Sequence, residues 1–141
     1  MINIFIYCIA CYQITSFAGS SESTFANSSE SITASVTVDQ AQQIIASHSE
    51  NNQFEIIDVR TISEYKSGYI KGARQLDFYR DDFDQSLAKL DRNKTYLLYC
   101  RTGVRSTKTL NKMKALGFSK IYNMQGGILA WDKKTQKPIP E

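Results

Sequence analysis

"TYLLYCRTGVRSTKTLNKMKALG" occupies residues 95–117, and its periodicity changes in the middle. Thr95 to Cys100 form a short apolar run of strand composition. From Val104 onward, Val104, Thr107, Leu110, Met113 and Leu116 recur at helical spacing. This predicts a helix over 104–116 with those residues on or near one face, closed by Gly117 at the C′ position. A buried strand passing into a helix through a few residues is the βα unit of a parallel sheet. In such sheets the loops at the carboxyl ends of strands hold ligands, and Cys100 stands at that kind of position.

The flanking segments repeat the pattern. Thr37 and Gln40 form a capping box ahead of Val38, Ala41, Ile44 and Ile45, which predicts a helix over 38–47. "FEIIDV" (54–59) reads as a buried strand, followed at once by a second capping box, Thr61 with Glu64, and a short helix over 62–68. "ARQLDF" (73–78) reads as a strand and "DDFDQSLAKL" (81–90) as a helix with acids in its first turn, where the dipole favours them. "KIYNM" (120–124) is a last strand, Gly126 and Gly127 a turn and cap, and "ILAWDKK" (128–134) a closing helix with Trp131 in the core. Strands alternate with helices and are apolar on both faces. The expected fold is therefore α/β, a parallel sheet of about five strands with helices on both faces.

The residues after Cys100 are poor company for a merely packed thiol. A thiol becomes a nucleophile when it ionises, and its pKa falls at a helix N-terminus or beside cations. Cys100 precedes a helix and is followed by Arg101 and Arg105. Gly103 allows positive φ, so that successive backbone N–H groups can turn inward as an anion-binding nest. The loop would hold an anion against a thiolate, which suits attack on an anionic sulfur or phosphorus compound. Arg105 lies in the first helical turn, against the dipole, and that suggests a bound anion beside it.

At 141 residues the chain has room for one domain of ordinary size, and its net charge is +3. Residues 1–34 contain no Lys or Arg and two acids, Glu22 and Glu30, so the basic excess belongs to the rest of the chain. The basic residues are scattered among Asp and Glu without a stripe of interleaved aromatics, which speaks against nucleic acid as a partner. His48 ends a polar helix and reads as an exposed side chain, not a general base.

Residues 1–18, "MINIFIYCIACYQITSFA", resemble an export signal: an apolar run from Ile4 to Tyr12, then small residues at Ser16 and Ala18. An alternative end point is Cys11, where "CIAC" resembles a lipobox and would give a lipid anchor as the sole membrane link. Either route places the protein outside the cytoplasm, periplasmic or lipid-anchored in a bacterium. Residues 19–35 are Ser-rich and read as a flexible linker, leaving 36–141 as the domain. Cleavage after Ala18 would remove Cys8 and Cys11 and leave Cys100 as the lone cysteine.

Spacing separates the two chemistries. Cysteine-dependent phosphatases and related arsenate reductases place five residues between Cys and Arg, whereas Cys100 and Arg105 have four between them. The tighter "CRTGVRS" loop resembles that of rhodanese-type sulfurtransferases. "IIDVRTISEYKSGYIKGA" (56–73) is similar to that family's segment from Asp-Val-Arg to Gly-x-Ile-x-Gly-Ala. "GGILAWDKKTQKPI" (126–139) is similar to its C-terminal segment. One departure is Tyr69, where the family often has His.

The resemblance implies a two-step transfer. Cys100 would take the sulfane sulfur of thiosulfate or a similar anionic donor as a persulfide and pass it to a thiol or cyanide, or to a thiol-carrier protein. Neither step requires a metal or an organic cofactor. The loop Arg101, Thr102, Gly103, Val104, Arg105 and Ser106 would bind substrate: its N–H groups would stabilise the persulfide, and the guanidinium groups of Arg101 and Arg105 would attract the donor. Asp58 and Arg60 would be structural, tying the strand end to Glu64 or a neighbouring loop. A non-catalytic binding module of the same fold is the other reading.

Overall fold

The computed structural model describes residues 31–135. The expected export signal at 1–18 with Cys8 and Cys11, and the Ser-rich stretch as far as residue 30, lie outside the described residues. Five parallel strands, β1 (Ile32–Val36), β2 (Phe54–Asp58), β3 (Ala73–Gln75), β4 (Thr95–Tyr99) and β5 (Lys120–Met124), form one sheet in the order β1-β5-β4-β2-β3. The helices are α1 (Val38–Ser47), α2 (Ile62–Lys66), α3 (Phe83–Ala88), α4 (Val104–Ala115) and α5 (Gly127–Thr135).

β4 is the central strand, hydrogen-bonded to β2 on one side and β5 on the other. Tyr96, Leu97, Leu98 and Tyr99 are all fully buried. Alternate residues face opposite cores. Tyr96, Leu98 and Cys100 pack with Phe83 and Leu87 of α3 and Met113 of α4. Leu97 and Tyr99 pack with Val38 and Ala41 of α1 and Ile128 of α5. Helices thus cover both faces, as the apolar strands require. Each such large apolar side chain contributes about 1.5–3 kcal/mol by leaving water, so the strand that delivers Cys100 is among the best anchored in the molecule.

Both capping boxes form: the Thr37 hydroxyl accepts from Gln40 N and the Thr61 hydroxyl from Glu64 N, with the reciprocal side-chain bonds in place. Gly117 takes φ +86 just after α4. Three expectations need correction. Residues 32–35 are not linker but most of β1, whose backbone pairs with β5 while only Val36 is buried. An edge strand held by main-chain bonds needs few apolar side chains, so its composition resembles a linker. β3 is three residues long, since pairing with β2 ends at Gln75 and the chain turns away after Leu76 N donates to Asp58 O.

The core face of α4 is only partly the expected one: Leu110, Met113 and Leu116 pack on the core, whereas Val104 and Thr107 do not. Ser106, Thr109 and Met113 point inward, while Val104 is 62% exposed and Thr107 is exposed. Two hydroxyls can face the core because each has a local acceptor: Ser106 Oγ donates to Gly103 O (3.1 Å) and Thr109 Oγ1 to Arg105 O (3.0 Å).

Candidate active site

The site is built on the end of β4. Val59 N donates to Tyr99 O (3.0 Å), holding the last strand residue against the segment that follows β2. Past it the chain turns sharply, and Gly103 takes φ +104 as the N-cap of α4. That left-handed conformation suits glycine and aims Gly103 N at the sulfur of Cys100, 3.1 Å away. The Gly103 carbonyl points the other way, accepting from Thr107 N (3.0 Å), Thr107 Oγ1 (2.8 Å) and Ser106 Oγ. Thr107 Oγ1 in turn accepts from Asn123 Nδ2 of β5 (2.9 Å). A polar chain thus links the loop to the neighbouring strand.

The opposite rim is fixed by α5. The first N–H groups of a helix have no partner within it; here Ile128 N donates to Cys100 O (2.8 Å) and Leu129 N to Arg101 O (3.2 Å). The loop carbonyls cap α5 and face away from the sulfur, which leaves the loop's N–H groups to face it. Burial pushes the Cys100 thiol up, but N–H groups of Ser106, Gly103 and Thr102 and the Ser106 hydroxyl outweigh this and hold it below the ordinary thiol value. The Ser106 hydroxyl lies 3.6 Å from Sγ and 3.1 Å from Gly103 O. Its single proton serves one or the other. Cys100 is 1% exposed, so a reagent must enter the loop to reach it.

The two arginines part company. Arg105 is half-buried and forks onto Glu64 of α2, Nη1 to Oε2 at 2.7 Å and Nη2 to Oε1 at 2.6 Å, with its guanidinium 5.6 Å from the ring centroid of Tyr79. The anion beside this first-turn arginine is a carboxylate of the protein itself. Arg105 in return draws the Glu64 carboxyl down to about 2. Arg101 is exposed, and its guanidinium has no hydrogen-bond or ion-pair partner among the described residues. Thr102 and Val104 are exposed beside it.

Asp58 and Arg60 form a buried pair under the site. Arg60 Nε lies 3.0 Å from both carboxylate oxygens of Asp58, and Nη2 reaches Oδ2 at 2.7 Å and Gly68 O at 2.6 Å. The pair ties the end of β2 to the loop after α2, not to Glu64. That loop carries Tyr69, 51% exposed, its ring stacked on Tyr65 at 4.1 Å between centroids. Sequence reading did not give Glu64 its place beside Arg105, nor place Tyr79 and Gly127 at the site. Glu64 and Arg105 are 41 positions apart, and no local pattern joins them. His48 is half-buried at the end of α1, its ring stacked on Phe54, and Trp131 packs against the second core cluster.

The rhodanese-like domain model matches residues 37–134. A putative sulfurtransferase of Bacillus subtilis, YtwF, is 31% identical over 86 residues, covering 61% of this chain and 81% of its own length. The probable adenylyltransferase/sulfurtransferase MoeZ of Mycobacterium tuberculosis is 42% identical over 81 residues, 57% of this chain. The match spans only about a fifth of that longer relative (21%). Among solved structures, a rhodanese-like domain protein from Staphylococcus aureus superposes with a TM-score of 0.59 at 32% identity, over 70% of this chain and 90% of that one.

Proposed function

Since the chain belongs to the rhodanese-like domain family, we propose that it is a sulfurtransferase working through a persulfide on Cys100, with thiosulfate or a similar sulfane compound as donor. The Cys100 thiolate attacks the sulfane sulfur, the Sγ–S bond forms as the donor S–S bond breaks, and sulfite leaves with the electron pair. A thiolate or cyanide then attacks the terminal sulfur of the persulfide and regenerates the Cys100 thiolate.

The observation that carries this reading is the set of donors around one sulfur: Gly103 N at 3.1 Å and the Ser106 hydroxyl at 3.6 Å, in a loop whose carbonyls are engaged by α5. Donors arranged in advance favour the anionic sulfur before and after transfer. Thr102 and Val104 would line the entrance, Arg101 would meet the anionic donor, and Arg105 would shape the loop through Glu64. The partners are thus a small sulfane donor and a thiol or cyanide, and no step calls for a cofactor. Residues 1–18 remain our candidate for an export signal, which N-terminal sequencing of the protein recovered from its native host would test.

The test is intact mass of the full chain after incubation with thiosulfate, beside Cys100→Ser. A gain of one sulfur atom, reversed by cyanide and absent from the variant, is expected. Unchanged mass with thiosulfate and with polysulfide, in folded protein whose Cys100 still alkylates, would overturn the reading.

A further inference from the structure

The charges around the Cys100 loop bear on which donor it accepts. Arg105 brings one positive charge to the loop, but both of its terminal nitrogens are bonded to Glu64, whose own negative charge stands beside it. Arg101 is left as the loop's one guanidinium without a side-chain partner among the described residues. Once Cys100 ionises, the side chains Cys100, Arg101, Arg105 and Glu64 sum to zero formal charge. Thiosulfate carries two negative charges into that setting and an organic persulfide carries one. Beside the exposed Thr102, the rim near Arg101 and Arg105 also carries apolar surface: Val104 is 62% exposed, and Tyr79, whose ring lies 5.6 Å from the Arg105 guanidinium, is 69% exposed. The Val104 side chain and the face of the Tyr79 ring can cover a carbon substituent, which an inorganic ion lacks.

We infer that Glu64, by neutralising Arg105, is a specificity-determining residue that turns the Cys100 loop toward monoanionic organic persulfides, R–S–S⁻, and away from thiosulfate. This rests on the persulfide reading above and names the donor class for it. The Cys100 thiolate attacks the terminal sulfur of the donor and forms the Sγ–S bond. The donor S–S bond breaks, its electron pair leaves on R–S⁻, and the charge stays on the terminal sulfur now carried by Cys100. R–S⁻ takes a proton from water, and no oxidant or reductant is consumed.

Glu64→Gln isolates the charge. Glutamine at this position keeps the capping box of α2, as Gln40 does in that of α1. The measurement is the second-order rate of sulfur gain at Cys100 in the full chain, quenched by alkylation and read by intact mass, with thiosulfate and with the persulfide of 2-mercaptoethanol. Each rate is divided by that of the same donor with free cysteine thiolate, which removes intrinsic reactivity. The wild-type protein is expected to favour the persulfide by about tenfold or more on that scale. Glu64→Gln should raise the thiosulfate-to-persulfide ratio about tenfold at low salt, and less at high salt. Arg101→Gln should lower the same ratio.

A wild-type preference equal to that of free cysteine, or a Glu64→Gln variant that changes both donors by one factor, would overturn the inference and leave Glu64 a strut. No sulfur gain from either donor would instead overturn the persulfide reading itself. The two failures are distinct.

Discussion

Gly127 lies directly against the carbonyl groups of the Cys100 loop. A Cβ on Gly127 would fall on the Cys100 carbonyl oxygen and 2.5 Å from that of Arg101, and Gly127 also holds φ +58. This close approach lets Ile128 N and Leu129 N reach the loop carbonyls and turn them away from the sulfur. Gly127→Ala should therefore cost about 2–4 kcal/mol, from the left-handed backbone and from displacing main chain that cannot yield as a side-chain tip does. Urea unfolding checks the stability. Cys100 alkylation should lose its low-pH reactivity in the fraction that remains folded, and a variant with wild-type stability and reactivity would show that the loop can slide off α5.

The Asp58–Arg60 pair predicts a large loss whichever partner is changed. Asp58 is fully buried and Arg60 is 4% exposed. Removing either partner strands the other, so Asp58→Ala or Arg60→Ala should lose about 3–5 kcal/mol. Arg60→Lys should lose much of that as well, because an ammonium cannot span both Asp58 oxygens and Gly68 O as the guanidinium does. Chemical denaturation of the three variants checks this. An Arg60→Lys protein as stable as wild type would mean that charge alone, not the fork, holds the loop after α2.

How far such features can be read from sequence depends on the range over which they are specified. The βα unit at Cys100 was legible because an apolar run, a glycine and a helical period follow one another within the single stretch 95–117. Both capping boxes were legible for the same reason. β1 was not, since Ile32–Val36 is an edge strand whose bonds are main-chain bonds to β5 and in which only Val36 is buried. On α4, Leu110, Met113 and Leu116 pack on the core as expected, but Ser106 and Thr109 were missed because they bury hydroxyls that apolar periodicity does not count. A bound anion was expected beside Arg105, but the group paired with it is Glu64 of α2, 41 positions away, which no local pattern announces.

Cys100 should titrate unusually. Burial raises its thiol, while the Ser106 N–H and hydroxyl and the Gly103 and Thr102 N–H groups lower it further than burial lifts it. The rate of alkylation by iodoacetamide should therefore reach half its plateau at a lower pH than a cysteine in an unfolded peptide. The same shift means that ionised Cys100 adds stability above the ordinary thiol pKa, a contribution lost as pH falls through the folded value. Ser106→Ala removes one donor and should move the alkylation midpoint upward, slowing the neutral-pH rate a few-fold. A midpoint that stays put would assign the lowering to the backbone N–H groups alone.

The Glu64–Arg105 pair sets a stability window in acid. Arg105 hydrogen bonds come first among the causes that take Glu64 from an ordinary 4.5 down to about 2, and the Thr61 N–H and hydroxyl add to them. A carboxyl lowered by folding stabilises the native state above its unfolded value, and that stabilisation disappears as pH falls through the folded value. The loss should run from about pH 5 to about pH 2. With the carboxylate side chain 23% exposed, water screens part of the gain, so its size should be on the order of 2 kcal/mol. Glu64→Gln should then be less stable than wild type by that amount at pH 7, with the difference shrinking steadily in urea titrations between pH 5 and pH 2.5. A difference that stays constant with pH would show that the pair acts through shape and hydrogen bonding, not charge. That result would also remove the electrostatic basis for Glu64 as a selector of donors.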